Sequence, residues 1–565
     1  MTEAQLKAGL ERQLRAQLAA VTGGLAPDDY LNAWWGWYLG LATHPKRQAA
    51  LAQSAMEKML DSWKFLAQAA TGTPLPPRHK ELGFDGAAWN VWPFNAYAHA
   101  YGNWASWWQE ALNPGSRMSF AGRLLLEAAS PANFLHTNPE LLNKTVAESG
   151  HNLIRGLKNW LEDAQRALGG APPVGTEQFE VGKDVAVTPG KVVFRNRLME
   201  LLQYSPQTPA VHAEPVLITP AWIMKYYILD LSPRNSLVRY LAEKGHTVFM
   251  ISWKNPSAAD RDLGIDDYVQ LGFLDALAAV AGIVPERKVH AVGYCIGGTL
   301  LSIGAALLAR RGDARLASVS LLAALTDFSE PGELSVFITP GQLAMLEAVM
   351  HKAGVLESEH MAAAFVMLRS RDLLWTPVVD NYVRGERQKV NDLMAWNADG
   401  TRMPWRMHSE YLERLYLKDE LAHGTFTLGG QPIDLGAVRV PMFVVGTETD
   451  HVAPWRSVYK VRELTRSADY SFLLTTGGHN AGIVSGPSHP RRRHRLLSWS
   501  NDTDKLSPDD WLKKAPAHDG SWWPAWQRWL AEHSDPVQQP ARDIATHASA
   551  DGSPLEDAPG RYVHE

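Results

Sequence analysis

The chain has 565 residues, 45% of them hydrophobic and 20% charged, with a formal net charge of -5. That length calls for two or more structural units, and that balance excludes a polycationic nucleic-acid binder and a disordered acidic chain. A single cysteine, Cys295, allows no internal disulfide, so the reducing cytosol is the expected compartment and the thiol is either a small buried apolar group or a reactive one.

The opening MTEAQLKAGLERQLRAQLAA carries charges through an amphipathic helical pattern and lacks the uninterrupted apolar core of a signal peptide. No apolar run reaches the length needed to span a bilayer, which predicts no transmembrane segment. From there to about Ala171 the apolar spacing is helical, broken at TGTPLPPRHKE (Thr71 to Glu81) and LNPGS (Leu112 to Ser116). Residues 1–175 are therefore expected to form an N-terminal all-α domain. It is crowded with tryptophan: Trp34, Trp35, Trp37, Trp63, Trp89, Trp92, Trp104, Trp107 and Trp108. Two readings stand side by side, helix-helix packing or an exposed surface for a partner chain or an apolar polymer.

After the GGAPPVG linker (Gly169 to Gly175) the pattern turns to short apolar, β-branched runs alternating with helical segments. PVLIT (Pro215 to Thr219), HTVFMISW (His246 to Trp253), KVHAVGYC (Lys288 to Cys295), ASVSLLAAL (Ala317 to Leu325), VPMFVVGT (Val440 to Thr447) and YSFLLTTGGH (Tyr470 to His479) read as buried strands. Near-continuous apolar strands separated by helices predict a mostly parallel sheet covered on both faces, here over residues 176–565. The interval from Leu325 to Val440 is too long for a simple crossover. Its segment 326–421, rich in helical signals and aromatics, is expected to be an inserted lid. The region from about Ser488 reads as helical and then irregular, with a second cluster at Trp522, Trp523, Trp526 and Trp529.

Gly293-Tyr294-Cys295-Ile296-Gly297 has the spacing of the strained strand-to-helix turn that carries the nucleophile in α/β hydrolases, with cysteine where serine is usual. The context fits: KVHAV is an apolar strand, and GGTLLSIGAALLARRG (Gly297 to Gly312) is a strong helix pattern closed by basic residues and glycine. A helix N-terminus favours negative charge on such a thiol. In this fold the partners follow as acid, then histidine. Asp450 lies just beyond VPMFVVGTET, with Glu448 and His451 as rivals, and His479 ends YSFLLTTGGH, with His489 as its rival. A thiolate expels the alkoxide of an oxoester with difficulty but exchanges evenly with a thioester. The acyl-cysteine formed from a thioester can pass its acyl group downhill to a hydroxyl, which is the logic of a transferase or polymerase. No H-E-x-x-H, C-x-x-C or G-x-G-x-x-G spacing suggests a metal or dinucleotide, so no cofactor is expected.

The chain resembles the polyhydroxyalkanoate synthases, particularly class I. The resemblance is carried by NFLHTNPELL (Asn133 to Leu142), FEVGKDVAVTPGKVVFRNRLMELLQY (Phe179 to Tyr204), KYYILDL (Lys225 to Leu231), ISWKNP (Ile251 to Pro256), GYCIGGT, NDLMAWNADGTRMP (Asn391 to Pro404) and PLEDAPGRYV (Pro554 to Val563). It implies an enzyme that polymerises (R)-3-hydroxyacyl-CoA, short-chain units such as 3-hydroxybutyryl-CoA first among them, into polyester with release of CoA, on the surface of cytoplasmic granules. Carried over, Cys295 holds the growing chain, His479 activates it, and Asp450 is the histidine's partner or the activator of the incoming hydroxyl. The N–H of Ile296 forms half of an oxyanion hole. The other half falls to the loop at Ile223, where Pro220-Ala221-Trp222-Ile223-Met224-Lys225 departs from the family's P-P-W-I-N-K. Asn480-Ala481-Gly482 also departs, which bears on chain-length preference. The basic run Arg491-Arg492-Arg493-His494-Arg495 is either a CoA phosphate contact or a solvated helix start. The lid implies a closed resting form converting to an active homodimer. A cysteine thioesterase or polyester depolymerase shares every triad residue, and a non-catalytic granule-coating protein is the rival from another class.

Overall fold

The computed structural model describes residue 15 and residues 26–71, 75–76, 79, 82–112, 116–500, 506–545 and 554–565. The opening amphipathic stretch and most of the Thr71–Glu81 break lie outside these residues. The chain forms two compact units. One comprises Thr176–Met361 and Asn391–Glu565; the other joins the described part of Leu14–Gly175 to Ala362–Val390. Ala362–Val390 thus falls inside the interval read as a lid and packs with the helical unit.

The first unit is built on one sheet, ten strands among the described residues: β1 Gly190–Arg195, β2 Met199–Tyr204, β3 Val216–Thr219, β4 Val248–Trp253, β5 Val289–Tyr294, β6 Leu316–Leu322, β7 Met442–Thr447, β8 Tyr470–Thr475, β9 Arg493–Trp499 and β10 Ala517–Asp519. In the sheet they lie in the order β1-β2-β4-β3-β5-β6-β7-β8-β9-β10. The run from β4 to β8 is parallel, and every residue of β3, β5, β7 and β8 is buried, as strands covered on both faces must be. The strand order reverses around β3, which puts a crevice at the carboxyl ends of β3 and β5. β1 and β2 at one edge and β9 and β10 at the other are antiparallel. These four escape the apolar-run criterion because polar residues interrupt them. In β2, Glu200 is fully buried and neutralised by Arg195 of β1. The basic run therefore opens a strand, not a helix.

The second unit holds helices α1 Pro27–Ala42, α2 Pro45–Ala69, α3 Phe94–Ala111, α4 Arg117–Ala128, α5 Pro139–Ala147 and α6 His151–Leu168. Ser116 and Asn138 cap α4 and α5 through their side-chain oxygens. Ala362–Val390 is fastened here by specific contacts. Asn152 donates to the Val383 carbonyl at 2.9 Å, Arg387 pairs with Asp163 at 2.9 Å, and Gly156 lies so close to the Tyr382 carbonyl that a Cβ would not fit. The tryptophans divide between the two readings. Trp89 is buried against Phe84, with ring centroids 4.7 Å apart, whereas Trp34, Trp35, Trp63, Trp92 and Trp104 are exposed. Helix α1 buries no residue at all.

Opposite the reacting end of the sheet, His290 near the start of β5 is inaccessible, its Nδ1 2.7 Å from Ser318 Oγ and its Nε2 3.0 Å from Ser534 Oγ. Burial first, then the neighbouring His533 and His212, pushes its pKa down to about 3. His246, stacked on His212 at 4.5 Å, is pushed down to about 3 by burial and by His212 and His290. Below pH ~6.5 the unfolded chain binds protons that the folded chain refuses, so this contribution is intact above that pH and is lost as pH falls toward 3. Stability is expected to drop by about 2 kcal/mol per imidazole between pH 7.5 and 5. Thermal midpoints at the two pH values should therefore separate less in His290→Gln than in the unmodified protein. An undiminished separation would mean that His290 is not held neutral.

Candidate active site

Strand β5 ends at Tyr294, and helix α7, Ile296–Arg310, begins two residues later. Cys295 between them has φ 54° and ψ -130°, a left-handed conformation that costs a residue with a side chain about 1–3 kcal/mol. Its N–H is held by the Leu322 carbonyl of β6 at 2.9 Å. The glycines around it permit close backbone approach. A Cβ on Gly293 would strike Gly298 Cα, one on Gly298 would strike Ala324 Cβ, and one on Gly297 would strike the carbonyls of Thr219 and Pro220. The sharp turn follows from these contacts, and it leaves the thiol only partly covered.

Asp450 follows β7 and is enclosed by donors. Its Oδ1 accepts from the N–H groups of Val452 at 2.9 Å and Ala453 at 2.8 Å; its Oδ2 accepts from Thr447 Oγ1 and from His479 Nδ1, both at 2.8 Å. Burial acts to raise its pKa, but His479 and these hydrogen bonds outweigh it and hold the carboxyl below the usual range. An ionised carboxylate only accepts, so Nδ1 carries the proton shared with Asp450 and Nε2 is left for the thiol. His479 opens the short helix α9, His479–Ile483, after β8. Burial pushes the pKa of His479 down, yet Asp450 and hydrogen-bonded Cys295 together lift it well above the ordinary imidazole value. Cys295, His479 and Asp450 therefore converge. The rivals do not: Glu448 and His489 are exposed, and His451 faces Glu333 at 3.4 Å.

Ile296, the first residue of α7, has an N–H with no intrahelical partner. Ile223 lies buried in the segment after β3, in the same loop as the Pro220 carbonyl that abuts Gly297. Residues of the resembling segment NDLMAWNADGTRMP pin this loop. Thr401 Oγ1 donates to the Trp222 carbonyl at 2.6 Å, Trp396 Nε1 donates to the Lys225 carbonyl at 2.8 Å, and Met224 bridges to Gly400. The segment that departs from the family pattern is thus rigidly held.

Other contributors carry weaker sequence signals. Helix α8, Trp405–Glu410, continues as a wider turn over Tyr411–Leu417. Tyr411 and Tyr416, their hydroxyls 3.3 Å apart, are half-buried against Phe328, and burial first, with nearby Cys295 among the further causes, raises both phenol pKa values. They are visible in sequence only as part of an aromatic-rich interval. Trp522 and Trp523 donate their indole N–H groups to the carbonyls of Gly482 and Ile483 at 3.1 and 2.9 Å, bracing α9. Arg492 donates to the carbonyls of Thr476 at 3.1 Å and Ala481 at 2.7 Å, so one arginine of the basic run is committed to the histidine loop.

Residues 80–241 match the family described as "Poly-beta-hydroxybutyrate polymerase (PhaC) N-terminus", and residues 214–485 match "alpha/beta hydrolase fold", the fold of the catalytic unit. The chain is 40% identical over 528 residues to the poly(3-hydroxyalkanoate) polymerase of Methylorubrum extorquens, covering 91% of this chain and 86% of that protein. It is 37% identical over 541 residues to the poly(3-hydroxyalkanoate) polymerase subunit PhaC of Cupriavidus necator, covering 93% and 89%. It is also 36% identical over 537 residues to the corresponding subunit of Rhizobium meliloti, covering 92% and 86%.

Proposed function

The chain belongs to the poly(3-hydroxyalkanoate) polymerases, and from that premise we propose that it polymerises (R)-3-hydroxyacyl-CoA, short-chain units such as 3-hydroxybutyryl-CoA first among them, through an acyl-cysteine. The observation that carries this reading is the Asp450–His479 hydrogen bond, which leaves Nε2 facing the thiol at the strained turn. His479 takes the proton of Cys295, and the thiolate adds to the thioester carbonyl. The N–H groups of Ile296 and Ile223 receive the oxyanion. As the tetrahedral centre collapses, the C–S bond to CoA breaks and the leaving sulfur takes the proton from His479. The 3-hydroxyl of the next unit then gives its proton to His479 and attacks the acyl-cysteine, so an ester forms and the Cys295 thiolate leaves. The near-balanced exchange between thioesters explains cysteine in place of serine.

The carboxylate of Asp450 is inaccessible, and all the contacts described for it are internal. This favours orientation of His479 over direct contact with the incoming hydroxyl. The exposed Trp34, Trp35, Tyr38 and Trp63 support contact with the surface of a polyester granule in the cytoplasm, where acyl-CoA is made. The active form is a homodimer reached from a closed resting state.

Incubating the purified protein with 3-hydroxybutyryl-CoA should give insoluble polyester and free CoA; free 3-hydroxy acid without polymer would identify a thioesterase instead. Cys295→Ala should abolish polymer and Cys295→Ser should lower the rate by about 1000-fold or more, because an acyl-serine ester is too stable to pass the chain on. Wild-type CoA release by the serine variant would overturn the thioester-exchange argument. Single-turnover mass spectrometry should find no acyl-enzyme in His479→Ala and strongly slowed acylation in Asp450→Asn. Normal acylation with slow elongation in Asp450→Asn would give the carboxylate a direct role at the hydroxyl. CoA release should begin with a lag that shortens as protein concentration rises; lag-free activity from a strict monomer excludes the dimer step.

A further inference from the structure

Two residues adjacent in sequence to the reacting pair are themselves joined. Tyr294 precedes Cys295, and Asn480 follows His479. The Tyr294 hydroxyl donates to Asn480 Oδ1 at 2.6 Å across a sequence separation of 186 residues. Tyr294 is buried, and its ring lies 5.7 Å from that of His479. Burial, then nearby Cys295 and Asp450, raise the pKa of the phenol and so keep it a donor. Asp450 holds the imidazole at a single atom, Nδ1. Arg492 fixes the main chain on either side, at Thr476 and Ala481. The Tyr294–Asn480 bond is a direct side-chain hydrogen bond between the histidine's loop and the nucleophile's own strand.

We infer that Asn480 is a positioning residue whose side chain, bound by Tyr294, sets the separation of His479 Nε2 from the Cys295 sulfur. The inference rests on the proposed cysteine–histidine reaction. The bond costs no reorganisation during turnover, because neither partner changes protonation state, and it transmits the position of β5 directly to α9. The groups facing His479 are Asp450, Cys295 and Tyr294, with Arg492 on the adjoining main chain. Loss of the bond leaves all these charges in place and alters only geometry.

The test exploits the single cysteine, since alkylation by iodoacetamide reports one site. Its rate is measured from pH 5 to 9 in the full chain and in Tyr294→Phe, Asn480→Leu, the double variant and His479→Ala, with thermal midpoints alongside. Tyr294→Phe and Asn480→Leu should each slow alkylation at pH 7 by about 10-fold and move its pH midpoint toward that of His479→Ala. The double variant should be no slower than either single one, because both remove the same bond. CoA release in a single turnover should fall in parallel, with substrate KM little changed. If Asn480→Leu fails to fold, Tyr294→Phe, which removes one oxygen, decides alone. A wild-type pH profile in Tyr294→Phe while His479→Ala is slowed, or losses that multiply in the double variant, would overturn the positioning role. A wild-type profile in His479→Ala would instead sink the cysteine–histidine reading itself.

Discussion

The reacting end of the catalytic unit depends on how closely the backbone of α7 can approach β3 and β5. Cys295 is held at φ 54° only because Gly293, Gly297 and Gly298 let main chain meet main chain where any side chain would intrude. The strain is about 1–3 kcal/mol, less than a small part of what the fully buried strands on either side contribute, so the sheet over-determines the turn. The same approach brings the start of α7 against the loop that carries Ile223. One packing constraint thus leaves the sulfur partly uncovered and brings the N-terminus of α7 beside the loop after β3.

The histidine is placed by different means. Helix α9 has only five residues and could not keep its orientation by its own hydrogen bonds. Its carbonyls are instead taken up by the indoles of Trp522 and Trp523 and by Arg492, while Asp450 fixes the ring. Helix α10, Trp523–Glu532, continues this support, with Trp526 donating to Ser320 Oγ of β6 at 3.0 Å. Trp522, Trp523 and Trp526 therefore serve as hydrogen-bond donors inside the core, whereas Trp34 and Trp35 of α1 and Trp63 of α2 are exposed.

The parallel strands and the turn at Cys295 were legible because their causes are local: uninterrupted apolar runs between turn residues, and a fixed glycine spacing around one nucleophile. Asp450 and His479 could be singled out because each lies just past the end of an apolar strand, and the structure brings the two together. Edge strands β1, β2, β9 and β10 were hidden because polar residues interrupt them and find partners far along the chain, as Glu200 does in the N–H groups of Arg561 and Tyr562. The bracing of α9 by Trp522 and Trp523 and the Tyr294–Asn480 bond were equally invisible, since each joins residues whose proximity only the closed sheet creates. No local pattern told buried Trp89 from exposed Trp35.

The segment Ala362–Val390 lies within the catalytic sequence but packs with the helices that precede it. The polypeptide crosses between units after Gly175, after Met361 and again after Val390. During vectorial synthesis the helical unit emerges first, yet it cannot complete its packing until the ribosome has made Val390, by which time β1 to β6 are already outside the exit tunnel. The order of synthesis is therefore not the order of completion, and a nascent chain exposes unfinished helical surface while half of the sheet is assembling. A protease that cut the Gly169–Gly175 linker would leave Ala362–Val390 still bound to the helices, and the two fragments would remain a noncovalent pair.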